Sequence, residues 1–193
     1  MKAQRGMALV VSLVLLIMVM LLSVSAVQWS LQGEKAARAE RDRDVAFQSA
    51  EDAVTDAERD IQGSGSPVRQ AAFDGGDPKA FAAECGAGGA GLRVRAEAGK
   101  APVWQKVDLS GAEDGGACTV THGTFTGASM QTGEGFLPFK KPRYVIERME
   151  CHQPGDDASA GAAPHYCYRV TVIGFGAQRE TEVVLQSVFS KPE

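Results

Sequence analysis

The chain has 193 residues, a formal net charge of −4 and 23% charged residues, enough for one compact domain and an additional segment. Because no basic excess is present, direct binding of nucleic acid is not expected. The charge is unevenly distributed: residues 7–27 carry no charged side chain, whereas the remainder is polar and rich in glycine.

The uncharged run 7–27 predicts a membrane-spanning helix. At 1.5 Å per residue it would be about 31 Å long, close to the roughly 30 Å hydrocarbon core of a bilayer. Lys2 and Arg5 precede the run, and the first acidic residue is Glu34. Since positive charge tends to stay cytoplasmic, we expect a single pass through the membrane with the C-terminal part exported. A cleaved secretory signal ending at Ala26 remains an alternative, although the run is long for one.

Residues 28–62 predict that the same helix continues, because they are rich in alanine and contain no proline. Arg38 lies four residues from both Glu34 and Asp42, a spacing that allows ion pairs. The glycine- and serine-rich residues 63–67 predict its end. Apolar residues recur along this part of the helix at spacings of three and four, which indicates a face that docks on a domain. A helix surrounded by water would not need such a face. The apolar stripe consists of Phe47, Ala50, Val54, Ala57 and Ile61.

The exported part, residues 63–193, starts with turn-rich sequence. Residues 63–100 and 111–135 are dominated by loop formers, and 103–109 predict a short strand between them.

Three later segments, 142–149, 166–173 and 181–189, alternate in polarity and predict an antiparallel meander. Gly174 and Gly176 are expected to start the last turn. A sheet with one apolar face needs a cover, which the striped helix can supply. The predicted class is therefore α+β, with a long N-terminal helix packed on a C-terminal antiparallel sheet.

All four cysteines, Cys85, Cys118, Cys151 and Cys167, lie in the exported part. An even number in an oxidising compartment favours two disulfides, for which three connectivities are possible. Cys151 ends one predicted strand and Cys167 starts the next, so their pairing is favoured, which leaves Cys85 with Cys118.

The start of the chain resembles a prepilin leader, because a short basic segment ends in Gly6 and directly precedes an apolar helix. The resemblance implies that a prepilin peptidase cuts after Gly6 and methylates Met7. Residues 1–6 would then be the leader, and the helix would stay on the mature protein.

Residues 5–11 and 41–53, together with 142–147, 168–177 and 181–187, resemble the PilX family of type IV pilus minor pilins. This resemblance covers both ends of the chain and says little about residues 63–141. It implies a pilin-like fold and a role in priming pilus assembly, with twitching motility and adhesion downstream. The implied partners are the prepilin peptidase, other minor pilins, the major pilin and a large tip adhesin. The implied location is first the inner membrane, with a single pass and the C-terminal domain in the periplasm, and afterwards the pilus at the cell surface.

One position departs from the general pilin pattern. Most pilins have a glutamate at the fifth residue after the cleaved glycine, whereas this chain has Val11. K-type pseudopilins of type II secretion also lack this glutamate, and they cap their filament. By analogy, we expect this subunit at or near the tip of the pilus. A K-type pseudopilin, although usually larger, and a membrane-anchored periplasmic binding module remain alternative interpretations.

Sequence motifs that could indicate a nucleotide or metal site lack the surrounding structure that such sites need. Residues 86–91 match G-x-G-x-x-G but lack the strand and helix of a dinucleotide site. Zinc at the Cys–His pairs near residues 151 and 167 would compete with disulfide formation, and no EF-hand spacing is present. We therefore expect no catalytic residue, no metal site and no cofactor. The residues considered for metals were His152, His165, Asp74, Asp77, Asp156 and Asp157.

Overall fold

The structure, a computed structural model, describes residues 5–63, 66–74, 78–85, 91–151 and 165–191. It contains two compact units, Met1–Arg41 and Asp42–Glu193. Helix α1 (Arg5–Gln62) supplies most of the first unit and the first element of the second.

Helix α1 ends where the sequence predicts. Gly63 adopts a positive φ of 93°, and its N–H donates to the Asp60 carbonyl at 3.1 Å. Glycine reaches this left-handed conformation without a Cβ penalty and so closes a helix C-terminus. A short helix that the sequence does not predict, α2 (Pro67–Asp74), follows. Its first residue is proline, which suits the first helical position because no N–H is needed there.

The buried face of α1 in the second unit consists mainly of alanine. The predicted stripe is correct at Ala50, Ala57 and Ile61, and Val54 is half-buried against the core, but the prediction is wrong at Phe47, which is 43% exposed. Phe47 follows a buried alanine and so lies about 100° around the helix from it, away from the core. The fully buried apolar residues of this face are Ala46, Ala50, Ala53, Ala57 and Ile61.

Among the described residues, five strands form one sheet in the order β1-β3-β4-β5, with β2 also paired to β3. The strands β3, β4 and β5 form the predicted antiparallel meander. The predicted α+β class is confirmed, and the sheet is mostly antiparallel; the short strand β1, which runs parallel to β3, makes it mixed. The strands are β1 (Leu92–Val94), β2 (Val120–Thr121), β3 (Arg143–Cys151), β4 (His165–Phe175) and β5 (Glu182–Ser190).

The face of the sheet that carries large apolar side chains packs with the α1 alanines into the main core. On β5, Val183 and Leu185 are half-buried against that core, whereas Val184 and Val188 lie on the other, exposed face, as the alternation predicts. The strand residues at the centre of the core are Tyr144, Ile146, Tyr168, Val170 and Val172.

The predicted strand at 103–109 is wrong. The structure has a 3₁₀ turn at Val103–Gln105 instead, directly after Pro102. Val103 and Val107 are both buried and pack against Val145 on the opposite face of the sheet from α1. Apolar residues four apart fit one side of a helical turn better than one face of a strand.

Gly174 lies within β4, opposite Val183, rather than at the start of the turn. A Cβ at Gly174 would stand 2.3 Å from the Ala46 carbonyl oxygen and 2.4 Å from the Ala50 nitrogen. Glycine is therefore needed so that the backbones of strand and helix can approach this closely. The turn begins at Gly176, whose N–H donates to the Thr181 carbonyl at 2.8 Å.

Candidate assembly segment and buried charge sites

The apolar part of α1 is exposed in the structure. Its most apolar 18-residue window has a mean hydropathy of 3.0 and none of it is buried, and within the described residues α1 alone is long and apolar enough to cross a membrane. Met7 is 73% exposed and Val11 54% exposed. Because a contiguous apolar surface of this size is unfavourable in water, the segment needs lipid or protein around it.

The serines in this segment do not oppose burial in lipid. The hydroxyls of Ser12, Ser23 and Ser25 donate to carbonyls three or four residues earlier, at 2.8–2.9 Å. Each hydroxyl hydrogen is thereby satisfied within the helix, as the hydrocarbon region requires. Farther along, Arg38 pairs with Glu34 as the spacing predicts.

Both favoured disulfides are present, Cys85–Cys118 and Cys151–Cys167. Cys167 stands opposite Met149 in the β3–β4 register, so Cys151 is its diagonal neighbour, with the two Cα atoms 5.6 Å apart. The bridge therefore closes the end of the β3–β4 pair. The other bridge links the residues before β1 to those before β2.

Three aspartates of α1 are buried against the domain, and sequence reasoning missed this. Asp42 was expected to pair with Arg38, but its Oδ1 accepts the N–H groups of Ala177 and Gln178 at 2.6 and 3.1 Å. Asp56 accepts the Gly123 N–H at 2.7 Å and also the Thr126 hydroxyl. Buried carboxylates thus hold two loops of the domain on the helix.

The third aspartate, Asp60, is the centre of a buried ionic network. Arg69 of α2 donates to its carboxylate from Nε at 3.0–3.1 Å and from Nη2 at 2.8 Å, and the Tyr144 hydroxyl donates at 3.1 Å. The Arg69 guanidinium also stacks 4.1 Å from the Phe125 ring centroid. Burial and the nearby carboxylates Asp60 and Asp56 raise the pKa of Tyr144, so its hydroxyl remains a donor. The signal in the sequence is that Asp56 and Asp60 lie on the same face as the buried alanines.

On the opposite face of the sheet, Glu147 of β3 is fully buried. It stands opposite Arg93 of β1 and Arg169 of β4, with the Arg169 Nη1 atom 3.8 Å from its Oε2. Neither carboxylate oxygen has a hydrogen-bond partner among the described residues. Burial raises the pKa of Glu147, opposed by Arg169 and by the backbone N–H of Val103, which approaches the carboxylate outside hydrogen-bond geometry.

We expect the buried Glu147 to make stability depend on pH. Because the pKa of Glu147 is raised, the folded protein binds a proton at this carboxylate more tightly than the unfolded chain does. Stability should therefore fall as the pH rises from the pKa of an unfolded glutamate, about 4.3, to the raised pKa of the folded state. In urea titrations of the full chain in detergent micelles, the stability of wild type relative to Glu147→Gln should therefore decrease with rising pH. Glu150→Gln, at an exposed position of the same strand, is the control and should show no such trend. An increase with pH would show that the arginines dominate over burial.

The residues considered for metals do not form a site in the part of the chain that the structure describes, where no cluster of three or more His, Cys, Asp or Glu occurs. Cys151 and Cys167 are bonded to each other. Four of the residues considered and most of the glycine-rich run lie outside the described residues: His152, Asp77, Asp156, Asp157 and residues 86–90.

Comparison with known proteins gives two family matches. The family described as "Type IV pilus assembly protein PilX C-term" matches residues 48–191, and the family described as "PilX N-terminal" matches residues 5–55. No curated protein and no solved structure matches the chain. The two matches together cover α1 and the whole sheet.

Proposed function

The chain belongs to the PilX family of type IV pilus assembly proteins, and from this we propose that it is a minor pilin that helps to prime pilus assembly at or near the filament tip. The observation that carries the proposal is the two-part character of α1. Residues 7–26 present exposed apolar side chains, whereas the part after Asp42 buries its alanine face in the domain. One helix thus supplies both an insoluble segment and a firm attachment to a folded domain.

The apolar segment would occupy two environments in turn. Before assembly it lies in the inner membrane, with the domain in the periplasm because Lys2 and Arg5 precede it. In the filament it packs among the apolar helices of other subunits, which replace lipid as the surrounding medium. Its partners are then other minor pilins, the major pilin and a large tip adhesin, and twitching motility and adhesion depend on the assembled pilus. The role is structural, so we assign no catalytic residue.

The tip position rests on Val11. A glutamate at the fifth mature position would be a carboxylate in an apolar environment, which is tolerated only with a partner such as the N-terminus of a neighbouring subunit. Val11 needs no such partner. The subunit can therefore start a filament without an earlier subunit to dock against.

Processing at Gly6 is the first test. We expect the mature protein to begin at methylated Met7, and the intact mass from a peptidase-deficient strain to be larger by the six leader residues without the methyl group. Gly6→Val should likewise retain the leader in a wild-type strain, with a mass larger only by the substitution itself, whereas Ala3→Val, within the leader, should still be processed. A mature start at Val27 would contradict the proposal and support the secreted alternative.

Position in the filament is the second test. Immunogold labelling of sheared pili should place this protein at filament ends, and deletion of its gene should reduce the number of pili. Even labelling along the shaft would contradict the tip position while leaving the family role intact. Normal piliation with a defect in type II secretion would favour the pseudopilin alternative, and normal piliation and secretion would favour an anchored binding module.

A further inference from the structure

Strand β5 forms an open edge of the sheet. It pairs with β4 on one side, and no strand in the described part of the chain pairs with its other side. The opposite edge strand, β1, is already covered. There the Ala82 N–H donates to the Leu92 carbonyl and the Val94 N–H donates to the Ala82 carbonyl, both at 3.2 Å. The outer main-chain groups of β5 can therefore pair with a further extended chain.

Strand β5 lacks the features that usually prevent such pairing. Natural edge strands are kept apart by short length, charged side chains, proline or bulges. All nine residues of β5 pair with β4 in one unbroken register, so there is no bulge. Residues 183–190 include no charged residue and no proline. A long, regular and uncharged edge of this kind is expected to pair with another strand.

Both faces of β5 offer apolar contacts to an added strand. On the α1 side, Val183, Leu185 and Phe189 are only half-buried against the main core, so the core reaches the edge of the sheet. On the other side, Val184 is 49% exposed and Val188 is 58% exposed. Side chains on adjacent strands contact each other when they stand directly opposite. An added strand with apolar side chains on both faces would therefore cover both sets.

The charges near β5 restrict the added strand further. Glu180 and Glu182 are exposed at the start of β5, whereas the rest of the strand is uncharged. The preceding basic residue, Arg179, lies over the Phe139 ring, with its Cζ atom 6.0 Å from the ring centroid. Opposite charges on facing residues stabilise a strand pair, and like charges destabilise it. An antiparallel partner should therefore be basic at its C-terminal end, which would lie beside Glu182.

We infer that β5 accepts an extended segment of another protein as a further antiparallel strand, apolar on both faces and basic beside Glu182. A second copy of β5 does not fit this description. Two antiparallel copies of β5 would be related by a two-fold axis normal to the sheet, and their α1 helices would run in opposite directions, unlike those of subunits anchored in one membrane. The open edge itself lies within the second unit and does not depend on the tip position.

Peptide binding to the full chain in detergent micelles, measured by fluorescence anisotropy, tests the inference. The probe is the labelled peptide Ile-Val-Thr-Gln-Ile-Val-Thr-Arg-Lys, which has the required pattern. Only every second amide of an added strand donates to its neighbour, so two isomers methylated on alternate amide nitrogens form a matched pair. One isomer should bind like the parent peptide, and the other should bind about tenfold more weakly or worse.

Two valine-to-lysine variants separate loss of the edge from loss of the fold. Val188→Lys places a charge on the open edge at an exposed position and should weaken peptide binding about tenfold. Val94→Lys, at a 40% exposed position on the covered edge strand, is the matched control and should bind like wild type. No binding of the peptide, equal binding of the two methylated isomers, or unchanged binding by Val188→Lys would overturn the inference. Dimerisation of the chain that Val188→Lys abolishes would also overturn it, in favour of a second copy.

Discussion

Replacing Asp60 by alanine should destabilise the domain by about 3–5 kcal/mol, the usual cost of removing one member of a buried ion pair. Arg69 is only 6% exposed and would keep its charge while losing the carboxylate that accepts from its Nε and Nη2 atoms. The Tyr144 hydroxyl would lose its acceptor as well. Urea unfolding of the full chain in detergent micelles, followed by near-ultraviolet circular dichroism, measures the change.

Two comparisons make the Asp60 prediction specific. Asp52→Ala removes an exposed carboxylate from the same helix and should change stability by less than about 0.5 kcal/mol. The double variant Asp60→Ala with Arg69→Met removes both charges of the buried ion pair. Its loss of stability should therefore be clearly smaller than the sum of the losses in the two single variants. Additive losses would show that the two side chains act independently in spite of their contact.

The strands β3, β4 and β5 and the end of α1 could be predicted because their signals are local, whereas β1 and β2 lie in segments that were predicted as loop. In β5 every second side chain faces the core. The alternation with a period of two is therefore visible directly in residues 181–189. Gly63 marks the helix end because few other residues tolerate its φ of 93°.

It was harder to predict which face of α1 is buried and which charged residues are buried. The core face of α1 is mainly alanine, a small and only weakly apolar residue, so the larger and more apolar Phe47 was wrongly placed on that face. Asp42 was expected to pair with Arg38, and nothing was predicted for Asp56 and Asp60, because acidic residues are seldom fully buried. Their partners lie up to 136 residues away in the chain, and no local pattern reports such contacts.

The remaining charged site, at Glu147, was missed for a related reason. Within β3 its neighbours Val145 and Arg148 give no sign that position 147 is covered. Residues 95–102 lie over this side of Glu147, and residues 95–100 were predicted only as loop. Burial that depends on a loop from elsewhere in the chain is visible only in the folded structure.

Replacing Gly174 by alanine should destabilise the protein by about 1–3 kcal/mol or more, because the new Cβ would overlap backbone atoms of α1. The nearest atoms are the Ala46 carbonyl oxygen and the Ala50 nitrogen, and neither can move without shifting the helix. Gly174→Val should be worse, since it adds two methyl groups at the same point. The same urea titration measures both variants.

We expect the overlap with backbone atoms of α1, and not the overlap with a side chain, to cause the loss of stability in Gly174→Ala. The Ala50 Cβ would be 2.7 Å from the new Cβ, so Ala50→Gly removes that side-chain contact but leaves both backbone contacts in place. We therefore expect Ala50→Gly to give no rescue of Gly174→Ala. Gly33→Ala, where nothing lies within 4 Å, is the control and should be neutral or slightly stabilising, as alanine usually is in an exposed helix. Wild-type stability of Gly174→Ala would mean that α1 and β4 do not approach as closely as described, and the attachment of the apolar segment to the domain would need another explanation.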